Sequence, residues 1–468
     1  MQKAITKTFS TVMASALTTV GGFLALFFMK FKIGADLGMV LAKGVGLSMF
    51  TVLFLQPCLM LWTSKIHNKT KHKIFLPKFK GVGSYAVTHR KTIVVLALLL
   101  IIPSIIMQQL VQLSYVKFVA EPKNPPEIEQ IVKKMGNSII VIVPADDIQK
   151  NKEFLEEIKK VNNVQATMGI YGMLPKEFHN LVGDFAALTG TPIGSFDIGA
   201  MLPAEASMLT GFVNKGKTMY SILLNCPEEC DEAVAAINAI NKLCSEKFAK
   251  IDKVTNTPIN AVINKDYYVT GSAQAVEDLK AITPTDFMVV NIASILIILL
   301  VLIFTLRSVK LPILLIAVIE LGIYINLSIS YMLGQSLNFM AYIIISSVQL
   351  GATVDYAILY TVKYKTNLEN MPSKEAAYRA LMESGSSILT SVALMGGCTL
   401  SVSLVTSNRI VAEITLMIAR GSVISGALVL LVLPALLVIF TGSKKLKITS
   451  KTLEKLATSN YIPIEKEA

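Results

Sequence analysis

Charge is what this chain has least of. Only 16% of its 468 residues are Asp, Glu, Lys or Arg, where a soluble domain carries about a quarter. Hydrophobic residues make up 53%, and the mean hydropathy is +0.58. That deficit excludes a soluble globular protein and implies one built into a bilayer. Five cysteines are present: Cys58 and Cys398 in apolar runs, Cys226, Cys230 and Cys244 in a polar region. Three are an odd number, which excludes a complete disulfide framework there. The spacing Cys226-Pro-Glu-Glu-Cys230 is not that of a zinc or thioredoxin site and has no histidine near it, so a local disulfide or two free thiols is expected. Histidine is equally scarce. Three of the four (His67, His72, His89) lie in one basic stretch and read as solvated surface, so neither a metal nor a cofactor is implied. No Gly-x-x-x-x-Gly-Lys-Ser/Thr loop occurs, so the chain carries no visible ATP engine. The net charge of +12 could suggest nucleic acid, but the basic residues cluster beside apolar spans. That distribution follows the positive-inside rule and argues against a polyanion partner.

What is abundant is long apolar sequence. Eight stretches approach the roughly 20 residues needed to cross a bilayer, at about 10–29, 37–62, 92–112, 286–306, 311–333, 337–362, 386–406 and 412–441. The first nine residues are polar and no cleavage site follows, so a signal peptide is not expected. The segment 63–91 holds eight Lys and Arg residues and no acid, which assigns it to the cytoplasm. Counting spans from there puts 113–285 outside and both termini inside, in a cell membrane of bacterial type. Lys30 and Lys32, on the outer side, run against the rule.

The polar region 113–285 alternates charged amphipathic stretches (127–135, 151–161, 230–249, 273–282) with β-branched runs (138–143, 218–224, 267–270). Such alternation predicts an α+β layer built from βαβ pieces. Between them, 173–216 is rich in Gly, Pro and Met, and reads as either a substrate-contacting insertion or a plain linker.

One stretch stands apart. Asp355 lies well inside an apolar run, where a charge costs a few kcal/mol or more and marks an ion or substrate pathway by default. Ser347, Gly351 and Asp355 fall at i, i+4 and i+8 and therefore share a helix face that admits a close neighbour or water. Purely structural pairing with another helix is the alternative. Glu320 and Asn326, in the preceding span, are further intramembrane polar residues. Six residues apart, they lie about 240° apart around a helix and face different neighbours.

Self-similarity supplies a second signal. Gly21-Gly22 matches Gly396-Gly397, Asp36 matches Glu413, Leu41-Ala-Lys43-Gly44 matches Ile418-Ala-Arg420-Gly421, and Pro57 matches Pro434. The first two helices thus duplicate the last two, as in secondary transporters built from repeats. Asp36 and Lys43, like Glu413 and Arg420, are seven apart on one face, which suggests ion pairs within or between the repeats. On this reading the chain is the tail of one repeat followed by a complete one, either as a fragment or as a genuine eight-span protein.

These residues resemble a known family. One helix, a large polar domain and five helices, with Gly351-Ala-Thr-Val-Asp355-Tyr356 in the third of the five, are similar to the second half of the resistance-nodulation-division superfamily. The Gly-x-x-x-Asp-Tyr pattern is nearest the MMPL branch, and Tyr268-Val-Thr-Gly-Ser272 through Asp278-Leu279 resembles its strand and helix at that place. The resemblance implies an α-helical polytopic membrane protein of about eight helices with an α+β extracytoplasmic porter-like domain. Its divisions are 1–62 (two helices of a truncated repeat), 63–91 (cytoplasmic loop), 92–112, 113–285 (outer domain), 286–441 (five-helix bundle) and 442–468 (cytoplasmic tail). It further implies export of lipids or other hydrophobic molecules driven by protons, with Asp355 binding and releasing the proton and Tyr356 hydrogen-bonding within the relay. A second Asp-Tyr helix and outer domain, supplied by a missing half or by another copy, would complete such a machine. The competing expectation is a non-transporting module of the same superfamily that binds lipid or assists protein translocation.

Overall fold

The computed structural model describes residues 2–64, 79–115, 137–145, 147–169, 213–214, 216–248 and 267–441. The lysines between 65 and 78, the amphipathic stretch 127–135, nearly all of 173–216 and the tail 442–468 lie outside the described residues. In chain order the elements are α1 (Gln2–Leu24), which tightens into a 3-10 turn over Ala25–Phe28, α2 (Lys32–Trp62), α3 (Lys80–Thr88) and α4 (Arg90–Gln109). Then come β1 (Asn137–Pro144), α5 (Ile148–Ile158), β2 (Val164–Met168), β3 (Lys217–Leu224), α6 (Asp231–Phe248) and β4 (Tyr268–Gly271). The last five are α7 (Ser272–Leu306), α8 (Lys310–Met332), α9 (Phe339–Leu368), α10 (Ser373–Val405) and α11 (Arg409–Thr441). The chain forms two compact units, one from Met1–Leu113 with Thr283–Ala468 and the other from Ser114–Ile282.

In the helical unit, seven helices among the described residues (α2, α4 and α7 to α11) are long and apolar enough to cross a membrane. The eighth expected span falls on α1, whose apolar stretch Val12–Phe28 ends in the 3-10 turn that follows Leu24. The amphipathic stretch expected at 273–282 and the span expected from 286 are both helical and are joined, because α7 runs through Pro284 as one 35-residue helix. A proline forfeits one N–H but does not end a helix when neighbouring helices support it. The innermost helix is α9: 83% of its apolar stretch is buried, against 11% in α2. The outward face of α2 carries Phe50, Phe54, Leu59 and, at 82% exposure, Trp62, as expected of a helix bathed in lipid rather than water.

Two acids, Asp286 buried and Glu413 half-buried, fix two helix starts. Asp286 of α7, 1% exposed, accepts the backbone N–H groups of Lys30 and Phe31 at 3.1 and 3.2 Å, just before α2. Glu413 of α11 accepts the N–H of Asn338 at 3.1 Å, and the Asn338 side chain caps α9 by accepting from Met340 at 3.0 Å. Both carboxylates sit where unpaired N–H groups and the positive end of the helix dipole favour negative charge.

The second unit is α+β. Its strands run in the order β2-β3-β1-β4, every neighbouring pair antiparallel. The connectivity β1-α5-β2-β3-α6-β4 gives two split βαβ units. The βαβ pieces expected from the sequence are therefore present, but each encloses a strand from the other, so no two parallel strands are neighbours. Alternation along β1 points Ile139, Val141 and Val143 into a core with Phe154, Tyr220, Ile222, Ile237 and Phe248. At the end of β4, Gly271 has φ +126°, and a Cβ there would collide with the Ser138 carbonyl. Only glycine fits.

No disulfide links Cys226, Cys230 and Cys244, all of which are free thiols. Burial pushes the Cys244 thiol up to about 12, and burial with the adjacent Cys230 pushes Cys226 up to about 11. Because the thiolate is the reactive form, Cys244 should stay unlabelled by a maleimide at neutral pH until denaturant is added. Rising pH should destabilise this unit above about pH 8.5, where an unfolded thiol ionises and the buried one does not. Mass spectrometry of pulse-labelled protein across a pH series measures both effects.

Candidate functional site

The residues around Asp355 are held by an unusually close contact between α1 and α9. A Cβ on Gly22 would lie 3.1 Å from both the Gly351 Cα and the Ser347 carbonyl oxygen, so the two backbones touch. Small residues permit such an approach in membranes, where packing replaces the hydrophobic effect between helices. Hydrogen bonds tie the pair together. Thr19 Oγ1 donates to the Gly351 carbonyl at 3.0 Å, and the Ser347 hydroxyl donates to the Gly22 carbonyl. Ser294 of α7 donates in turn to Ser347 at 3.0 Å. Ser347 and Gly351 thus use the face expected of them.

One turn further along α9, Asp355 opens on a cavity of about 570 Å³. The walls are Val12, Ser15, Ala16 and Thr19 of α1, Val45, Ser48, Met49 and Val52 of α2, Ala352, Asp355, Tyr356, Ile358 and Leu359 of α9, and Ile388 and Ser391 of α10. Ser15 is the hydroxyl that faces the carboxyl group. Asp355 Oδ1 is buried without a hydrogen-bond partner. Measured along α9, Asp355 lies about 24 Å from Phe339. The cavity is mostly apolar with a few hydroxyls and is far larger than the roughly 10–15 Å³ one water needs.

Tyr356 takes another direction. Its hydroxyl hydrogen-bonds with Ser422 of α11 at 3.0 Å and approaches Met395 Sδ of α10 at 3.4 Å. The aromatic half of the motif therefore ties α9 to α10 and α11, while the acid faces α1 and α2. Adjacent residues on a helix point about 100° apart, which is how one motif reaches two neighbours.

Glu320 and Asn326 occupy different faces of α8, as their spacing implies. Both oxygens of Glu320 are buried without a hydrogen bond, beside Asn291 of α7 and Tyr324 one turn on. Asn326 is central to a satisfied network. It donates to Gln349 at 2.7 Å and the Met417 carbonyl at 2.9 Å, and accepts from Arg420 Nε at 2.7 Å. Arg420 also donates to the Asn326 carbonyl and to Ser330, both at 2.8 Å. Gln349 reaches Ser425 at 3.1 Å.

The expected charge pairs do not form. Glu413 bonds with Arg409 four residues away at 3.1 Å, and Arg420, a helical turn and more beyond, bonds only with neutral groups of α8 among the described residues. A spacing of seven suits one face but is too long for direct contact along a helix, where partners are three or four apart. Asp36 and Lys43 are both exposed on α2 and form no ion pair with each other.

The family comparisons bear on this arrangement. A family model described as the MMPL family matches residues 1–80 and 232–459. The chain belongs to the MMPL family. Over 243 residues this MMPL chain is 25% identical to a Bacillus subtilis (strain 168) protein named as the membrane protein YdgH, covering 49% of the chain and 25% of that relative. A crystal structure of a heavy metal efflux pump superposes with a TM-score of 0.52 at 13% identity, covering 91% of this chain and 58% of the pump chain. That likeness is one of fold. The chain spans a quarter of the first relative's length and little more than half of the second's. With the apolar helices, family membership makes it a multi-pass membrane protein.

Several residues of the site in this MMPL chain escaped the sequence reading. Ser15, Thr19 and Gly22 recur at i, i+4 and i+7 on α1 and form the surface that meets Ser347 and Gly351. Their spacing is a legible signal of a small-residue face. Ser422 and Gln349 give no comparable sign in the sequence, because isolated Ser and Gln residues are common in spans.

The contact and the network each predict a defect. Gly22→Leu should push α1 from α9 and lower stability by about 1–3 kcal/mol, as overpacking does, read as a lower thermal midpoint in detergent. Arg420→Lys keeps the charge but cannot place donors at Asn326 and Ser330 together. It should cost about 1–3 kcal/mol for the acceptors left unpaired, and an unchanged midpoint would refute that role.

Proposed function

We propose that this chain is the proton-coupled part of a membrane exporter for lipids or other hydrophobic or amphipathic molecules. The observation that carries this reading is Asp355, a carboxyl group with one oxygen unpartnered, opening on a sizeable cavity between α1, α2, α9 and α10. Membership of the MMPL family supports it, and so does a fold shared with an efflux pump. An intramembrane acid that is not neutralised by a fixed partner is a natural place for a proton to bind and leave.

The mechanism follows from the neighbours. Ionised, Asp355 needs donors, and the nearby hydroxyl of Ser15 with water in the cavity would supply them. Protonated, it loses its charge and can pack against apolar surface. The two states favour different separations of α1 and α2 from α9, which is a two-state element that a proton gradient biases. Tyr356 would carry that displacement to α10 and α11 through Ser422 and Met395. Ser347 and Gly351, at the close contact with α1, would act as the pivot.

Sidedness completes the proposal. Arg90 and Lys91 begin α4, Lys310 begins α8, Lys363 and Lys365 lie near the end of α9, and Lys374 lies in the first turn of α10. In successive antiparallel spans these positions share one side, which would be the cytoplasmic side of a bacterial plasma membrane. The α+β unit would then be extracytoplasmic and receive substrate. The lipid bilayer, the substrate and protons are the proposed partners.

In proteoliposomes with an imposed pH gradient, Asp355→Asn should reduce transport of a fluorescent lipid analogue to the protein-free background while leaving expression and the thermal midpoint unchanged. Undiminished gradient-dependent transport by that variant would sink the proposal.

A further inference from the structure

A second acid is buried in the helical unit away from the Asp355 cavity. Glu320 is 8% exposed, lies near the middle of α8, and is not among the residues that line the cavity. Both of its carboxyl oxygens are buried without a hydrogen bond, and so is Oδ1 of Asn291, the adjacent amide on α7. Three buried acceptor atoms on two facing side chains make no full hydrogen bond, although the Asn291 amide and the Tyr324 phenol lie beside the carboxyl group. Leaving such groups unpaired in a dry interior is costly, and a proton reduces the deficit. Placed on Glu320, it removes the charge and gives the carboxyl group an O–H to donate to Asn291 Oδ1.

The surroundings suit a proton better than a fixed counter-ion. Tyr324 lies beside Glu320 on α8, and Tyr342 of α9 lies close to Tyr324. Gln108 of α4 donates to the Tyr342 hydroxyl at 2.9 Å, and the Tyr342 ring stacks on Phe287 of α7 at 4.5 Å. From α11, the charged group nearest this helix is Arg420, but its bonds go to Asn326 and Ser330 on another face of α8. The groups facing Glu320 and its phenol neighbour are thus neutral: one amide, two phenols and a second amide. Gln108 is the penultimate residue of α4, and Tyr342 lies in the first turn of α9. The phenols of Tyr324 and Tyr342 can pass a proton and Gln108 orients the second of them, so the row runs from mid-span toward the helix ends.

We propose that Glu320 is a second proton-carrying carboxyl group, sharing its proton with Asn291 and served by Tyr324, Tyr342 and Gln108. The inference rests on the reading of the helical unit as proton-driven and gives that unit two sites, on opposite sides of α9's neighbours. The step is a concerted transfer: an O–H bond forms on Glu320 as the Tyr324 O–H breaks, and Tyr324 takes a proton from Tyr342 as Tyr342 takes one from water at the helix ends.

The test is infrared difference spectroscopy of the full chain in lipid nanodiscs across a pH titration, with sodium chloride exchanged for choline chloride. Two titrating protonated-carboxyl bands are expected in the wild type. Asp355→Asn should keep one of them, and Glu320→Gln on that background should remove it. Asn291→Leu leaves Glu320 in place and should shift the same band. A band in Asp355→Asn that survives Glu320→Gln, or the absence of any titrating band in Asp355→Asn, overturns the proposal. A band that responds to sodium also overturns it, in favour of a sodium site. Failure here is distinguishable from failure of the transport reading, since transport depends on Asp355 while this band is read in protein that lacks it.

Discussion

Inside a bilayer no water is available to complete a hydrogen bond, so every polar group on a span must find its partner in the protein or line a wet cavity. That constraint sorts the intramembrane polar residues of this chain into two kinds. Asp286 and Glu413 are consumed by structure, each bonded to backbone N–H groups at a helix start. Asn326, Gln349 and Arg420 saturate one another and the carbonyls around them. Asp355 and Glu320 do not fit this pattern, for each keeps at least one buried oxygen unpaired. On the reading of this unit as proton-driven, these are the two carboxyl groups where exchange of a proton would be useful, and among the described residues neither forms an ion pair.

The contact between α1 and α9 makes the first of these sites possible. Gly22 and Gly351 let the backbones meet, and the two carbonyl hydrogen bonds at Gly22 and Gly351 fix the helices at that level. One turn beyond, the cavity opens beside Ser15 of α1 and Asp355 of α9. A joint that is tight at one level and hollow at the next would let a change in side-chain charge move one helix against another without loss of the whole interface.

Much of the architecture was legible because membranes impose simple rules. Apolar length located the spans, spacing placed Ser347, Gly351 and Asp355 on one face, and the opposed directions of Glu320 and Asn326 followed from helix geometry. Three strands and the helices near 151–161 and 230–249 of the α+β unit were legible from alternation, whereas the strand Val164–Met168 was not. What stayed hidden depends on partners distant in sequence. Arg420 read as the mate of Glu413 because both are charged, yet its donors meet the acceptors of α8, ninety positions away. Asp286 read as the edge of a span, since nothing in its neighbourhood announces a helix start near residue 31. The stretch 273–282 and the span from 286 read as separate pieces, although tertiary support carries α7 through Pro284 between them. The split βαβ order was equally hidden, because a strand does not declare which neighbour lies between its two ends.

The position of α9 connects these features. It is enclosed by α1, α8, α10 and α11, and its polar residues divide by direction: Asp355 toward the cavity, Tyr356 toward Ser422, Gln349 toward Asn326 and Ser425. The Gln349 contacts tie α9 firmly to α8 and α11, whereas Asp355 is held on the α1 and α2 side by a hydroxyl and open space. The two sides are therefore unequal in stiffness. A response to protonation of Asp355 would be taken up first by α1 and α2, and Tyr356 would pass what reaches α9 on to α10 and α11. The Glu320 cluster lies on the stiffer side, reached through α4 and α7. A proton there would alter α8 against α7 and leave the cavity unchanged, so the two acids would act on different joints of the same bundle.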